Sequence, residues 1–108
     1  MIIGRDLDDL QLGRIIKNIN NNKTYVIVNN GLYYCYDDHY YSEIIVIEED
    51  IYQNFKGKTI DNNTIDELST TLTYHDLNCY ELIKDKKYDV DVVNYYKLGS
   101  EINEWCFN

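Results

Sequence analysis

Residues 24–36 read Thr24-Tyr25-Val26-Ile27-Val28-Asn29-Asn30-Gly31-Leu32-Tyr33-Tyr34-Cys35-Tyr36, and the fold turns on how they are read. The β-branched and aromatic residues on both sides favour extended backbone. Asn30-Gly31 favours the type I′ turn that joins two antiparallel strands, because both central residues of that turn need positive φ. The expectation is a tight hairpin. In that register Val28 faces Tyr33 and Val26 faces Cys35, while Tyr25, Ile27, Tyr34 and Tyr36 carry the other face. Both faces are apolar or aromatic, so one belongs on the core. The other is covered by a helix or offered to a partner, a second copy included.

Working outward, Asp37-Asp38-His39 reads as a second turn, followed by a strand from Tyr41 to Glu48. Its centre, Ile44-Ile45-Val46-Ile47, is a continuous apolar run, the pattern of an interior strand. This gives a meander over about 24–48, ended by Glu48-Glu49-Asp50, with a short helix before Gly57. On the N-terminal side Asp6 is a candidate N-cap and Asp8 and Asp9 suit a first helical turn. Leu7, Leu10, Leu12, Ile15, Ile16 and Ile19 then recur at helical spacing, and Asn20-Asn21-Asn22 ends the run. The spacing predicts a helix over 7–19, with Gly13 as the discordant residue.

Beyond Gly57, Asp61-Asn62-Asn63 reads as a loop. Thr64 and Glu67 match a capping box for a short helix at about 65–72. Residues 79–83 and 88–96 read as a C-terminal hairpin with Lys84-Asp85-Lys86-Lys87 at its tip. Gly99 breaks the second strand, and Ile102, Trp105, Cys106 and Phe107 form a last apolar element. The expected architecture is a single α+β domain over 1–108, an N-terminal helix on a small antiparallel sheet.

Charge narrows the function. The 108 residues carry 19 acids against 10 Lys or Arg, for a net charge of −9. No Lys or Arg occurs from Thr24 to Phe55, nor from Thr59 to Ile83. Such a surface repels nucleic acid and anionic membrane and attracts basic proteins. The hydrophobic fraction of 44% is that of a folding chain rather than a disordered one. Neither a secretory leader nor an apolar span is expected, and the odd number of cysteines, Cys35, Cys79 and Cys106, points to a reducing cytoplasm. The absence of proline and the many asparagines fit an AT-rich genome, as in a low-GC bacterium or its phages.

Chemistry-bearing motifs are sparse. Cys35 with His39 and His75 with Cys79 could together close a tetrahedral zinc site, but the commoner role of such cysteines is plain burial. No nucleophile elbow, phosphate loop or zinc-protease motif occurs, and the expectation is a non-enzyme with no cofactor. Twelve tyrosines lie among or beside the acids, and exposed tyrosine beside carboxylate suits an Arg-rich partner.

The candidate partner-binding set is Asp37, Asp38, Tyr40, Tyr41, Glu43, Glu48, Glu49, Asp50 and Tyr52. Carboxylates on one strand face recur about every 6.5–7 Å, the order of the phosphate spacing along a nucleic-acid strand. The leading expectation is therefore an inhibitor that occupies the groove of a basic nucleic-acid-binding protein in the host cytoplasm. In class and composition alone, without a shared motif, the chain is similar to the small acidic phage inhibitors of CRISPR nucleases and restriction enzymes. An immunity protein against a nuclease toxin and a phage assembly subunit are the alternatives.

Overall fold

Gly13 organises the start of the described chain. Its φ is +86°, in the region where an L side chain is strained. A methyl group there would fall within the van der Waals radius of the Tyr88 carbonyl oxygen. The backbone uses this proximity. The Gly13 amide donates to the Ile27 carbonyl at 2.7 Å, and its carbonyl accepts from the Tyr88 amide at 2.8 Å. The computed structural model describes residues 10–34, 40–73, 75–91 and 97–103, with side chains outside 30–34, 40–43, 62, 91 and 97–103.

The architecture is α+β. Strands β1 (Arg14–Asn18), β2 (Thr24–Tyr34) and β3 (Tyr40–Glu48) are followed by helices α1 (Glu49–Phe55) and α2 (Asn62–Leu68). Strand β4 (Ser69–Leu72), a 3-10 helix (Asp76–Cys79), β5 (Tyr80–Asp91) and β6 (Lys97–Asn103) complete it. The six strands form one sheet in the order β4-β3-β2-β1-β5-β6. Every neighbouring pair is antiparallel.

The helix expected over 7–19 is a misreading of its second half. Residues 10–13 are non-helical and 14–18 are β1, while 1–9 lie outside the described residues. The cause is burial on both faces. Ile15 packs with Val26, Ile47, Tyr52 and Tyr88 on one side of the sheet, and Ile16 with Leu10, Ile27, Ile44 and Tyr80 on the other. A strand with two cores gives adjacent apolar residues, which period-counting takes for a helix. Each of these isoleucines is fully buried, worth about 1.5–3 kcal/mol apiece. The asparagines are indeed a stop, but of a strand. Asn18 Oδ1 accepts from the amides of Asn20 and Asn21 at 2.8 and 3.3 Å. Asn22 takes the left-handed conformation at φ 62°.

The Asn30-Gly31 turn does not form. Strand β2 runs through it for 11 residues, and the register with β3 includes Asn30↔Ile44, Gly31↔Glu43 and Tyr33↔Tyr41. A partner strand long enough to pair the whole stretch outweighs a local turn preference. Val28 is left as the extra residue of a bulge between Ile27 and Asn29. The turn expected at Asp37-Asp38-His39 lies outside the described residues.

Strand β3 and the helix after it match the expectation closely. Glu49 and Asp50 occupy the first turn of α1, where the helix dipole favours acids. The next helix begins earlier than expected, because Asp61 rather than Thr64 caps it, accepting from the Thr64 amide at 2.8 Å. Residues 69–72 leave the helix and join the sheet as β4.

The C-terminal hairpin exists with a different tip. Strand β5 is continuous through Lys84–Lys87 and pairs with β6 from Lys86↔Asn103 to Asp91↔Lys97. Residues 92–96 lie outside the described residues. The Lys-Asp-Lys-Lys stretch marks an irregularity instead: Ile83 faces Ile15 and Lys87 faces Arg14, so Lys84, Asp85 and Lys86 bulge from the pairing with β1. Gly99 sits within β6 rather than breaking a strand.

Candidate interaction surface

Short helices α1 and α2 lie over one face of the sheet. Tyr52, Ile60 and Ile65 from this layer are buried against Ile15, Val26, Val28, Ile47 and Tyr88. Packing alone does not fix the layer. Glu49, at the start of α1, turns its carboxylate inward. It accepts from Thr24 Oγ1 of β2 at 2.6 Å and from the Tyr88 hydroxyl of β5 at 2.5 Å. Lys86 Nζ lies 3.0 Å away. Gln53, one turn on, donates to the same Tyr88 hydroxyl, and the Tyr88 ring packs on Tyr52 with centroids 4.5 Å apart. Burial pushes the Glu49 carboxyl up. The hydrogen bonds from Thr24, Tyr88 and Lys86, with the Lys86 charge, outweigh it and hold the group below the usual glutamate range.

This polar cluster ties α1 to two strands and holds the helical layer on the sheet. It is a latch, and it removes two residues from the expected contact set. Glu49 is committed internally, with its side chain only 12% exposed, and Tyr52 is fully buried. Neither offers surface to a partner. Both lie in the first turns of an amphipathic helix, where inward and outward positions alternate too quickly for charge counting to separate them.

The remaining expected residues divide. Asp50 is exposed at the start of α1. Glu48 is half-buried and 3.6 Å from Lys23. Tyr40, Tyr41 and Glu43 are placed by their backbone on β3, opposite Tyr34, Tyr33 and Gly31. Asp37 and Asp38 lie outside the described residues, as do Cys35 and His39 of the expected zinc set. His75 and Cys79 are exposed at the 3-10 helix, and among the described residues no cluster of metal donors forms.

The structure adds carboxylates that the sequence reading left out of the set. Asp61, Asp66 and Glu67 are exposed on α2 and its cap. With Asp50 they stand on the same helical layer, and none of the four makes an ion pair among the described residues. Lys56 and Lys58, exposed between the helices, temper that potential without pairing to it. The Thr64 amide and hydroxyl hold the Asp61 carboxyl below its usual range, so it stays charged. Their absence of basic neighbours from Thr59 to Ile83 was the signal that could have found them.

The tyrosines described at side-chain level are packing residues. Tyr25 is half-buried and meets Tyr80 edge to face at 5.8 Å. Tyr52, Tyr80 and Tyr88 are buried, and burial raises the Tyr80 phenol above its ordinary value. At these positions tyrosine does the packing of phenylalanine in a small two-faced core, and at Tyr88 the hydroxyl is satisfied by Glu49 and Gln53. Among the described residues no helix is long and apolar enough to cross a membrane. No family model matches the chain, and no curated protein and no solved structure is significantly similar to it.

Proposed function

We propose that this chain is a binding protein, not an enzyme, that inhibits a basic nucleic-acid-binding target by covering its groove. The role is that of a mobile-element anti-defence inhibitor, acting in the cytoplasm of a bacterial host. The observation that carries the reading is the helical layer with Asp50, Asp61, Asp66 and Glu67 exposed and unpaired among the described residues. None of these four is neutralised by a Lys or Arg among the described residues, whereas Glu49 is bound to Lys86 inside the fold. The net charge of −9 extends that field beyond the layer and steers a cationic surface toward it. Tyr40, Tyr41 and Glu43 on β3 remain members of the proposed surface, as do Asp37 and Asp38, which lie outside the described residues.

The test is capture from bacterial lysate on the immobilised chain at low salt, beside a variant with Asp50→Asn, Asp61→Asn, Asp66→Asn and Glu67→Gln. Asn keeps the cap at position 61. The wild-type chain should retain a basic nucleic-acid-binding protein that high salt releases, and the variant should retain much less. Equal retention by both would remove this layer from the contact surface. The identity of the captured protein separates a defence nuclease from a nuclease toxin.

A further inference from the structure

Among the described residues, one edge of the sheet is only partly covered. Strand β3 spans Tyr40–Glu48, and its pairing with β2 runs the whole way, from Tyr34↔Tyr40 to Tyr25↔Glu48. Strand β4 has only 4 residues and covers only Ile44–Ile47 of β3. Among the described residues, the backbone of Tyr40, Tyr41, Ser42 and Glu43 is therefore paired on one side and has no strand on the other. Leu72, the last residue of β4, lies opposite Ile44. A further strand placed there would continue the line of β4.

Natural sheets guard such an edge with lysine, proline or a bulge. The stretch Tyr40-Tyr41-Ser42-Glu43 has no lysine and no proline, and its one charge, Glu43, repels an acidic strand but not a basic one. The irregularity in this pair of strands falls between Ile27 and Asn29, away from these four residues. The open edge is thus left competent for pairing.

We infer that Tyr40–Glu43 of β3 takes an extended Lys/Arg-rich segment of the target as an added strand in line with β4. This rests on the proposed function and specifies how the target is held. Main-chain hydrogen bonds hold an added strand whatever its sequence. Charge then selects among strands. Glu43 lies on this stretch of β3, no Lys or Arg occurs from Thr24 to Phe55, and the net charge is −9, so a basic segment is favoured and an acidic one repelled. A second copy of this chain is a poor occupant, since it would bring the same acidic stretch, and a net charge of −9, against itself.

The experiment uses the full chain and two synthetic peptides of equal charge at low salt. One is about eight residues of alternating Arg and Thr, within the usual strand length. The other has a central Thr replaced by Pro, which cannot donate to a ladder. The first peptide should slow hydrogen exchange at the amides of Tyr40–Glu43. The proline peptide should bind about tenfold more weakly, or worse, through the lost main-chain pairing. Equal affinity for both peptides, with no protection at Tyr40–Glu43, would overturn strand addition while leaving a basic partner in place. Failure of both peptides to bind would count against the proposed function as well. Concentration-dependent dimerisation that protects the same amides without peptide would overturn the inference in favour of self-pairing.

Discussion

At position 13 an alanine would need both a positive φ and space already filled by the Tyr88 carbonyl. Gly13 also joins β2 to β5 through its own amide and carbonyl, so a shift to relieve the clash would break those bonds. Gly13→Ala is expected to lower the unfolding free energy by about 3 kcal/mol or more, read by urea denaturation. A loss below about 1 kcal/mol would show that the crossing relaxes freely. Glu49 makes a pH-dependent prediction. Its carboxyl is held below the ordinary glutamate value in the folded chain. The stability it supplies is therefore complete above the unfolded value of about 4.3 and is lost as pH falls through the lower folded value. Glu49→Gln should cost about 2–4 kcal/mol near neutral pH. The gap between wild type and variant should narrow as the pH falls below about 4. A gap that stays constant through acid would mean that the charged form of Glu49 is not the one the latch binds.

The latch also acts on a whole element. Helix α1 has 7 residues, too short to be stable alone, and relies on Tyr52 packing and on the Glu49–Tyr88–Lys86 bonds. Tyr88→Phe keeps the ring against Tyr52 but removes the hydroxyl shared by Glu49 and Gln53. It should cost about 1–2 kcal/mol and speed amide exchange in α1 before the rest of the sheet. Uniform acceleration across the molecule would place the loss in the core instead. Where an element follows from local pattern it was legible in the chain: the apolar run Ile44–Ile47, the acids opening α1, and an α+β class. Where long-range pairing decides, it was not. Ile15 and Ile16 look helical because they serve two cores, and Asn30-Gly31 looks like a turn because nothing local reveals the length of β3. The same limit applied to the surface. Charge counting grouped Glu48, Glu49, Asp50 and Tyr52, and only the fold separates the exposed Asp50 from the internal Glu49 and the buried Tyr52. Asp61, Asp66 and Glu67 join Asp50 only through the packing of α1 and α2 on one sheet face.

Over the whole molecule, a net charge of −9 on 108 residues opposes compaction. Added salt shortens the reach of that repulsion, with a Debye length of about 10 Å at 0.1 M. The melting temperature should therefore rise as sodium chloride is added from about 0.01 to about 0.3 M. A fall would mean that the ion pairs Lys17–Glu81, Lys23–Glu48 and Lys86–Glu49 outweigh the self-repulsion. On the proposed function the same field that costs stability steers a cationic partner, and the salt response of binding should run the opposite way. The most direct measurement is competition for the target's groove. Fluorescent nucleic acid is bound to the captured protein, and the chain is titrated in at fixed salt. The account predicts that the chain displaces the nucleic acid and that the Asp50, Asp61, Asp66 and Glu67 neutralised variant does so far less well. A stable ternary complex, with nucleic acid bound as tightly as before, would contradict it.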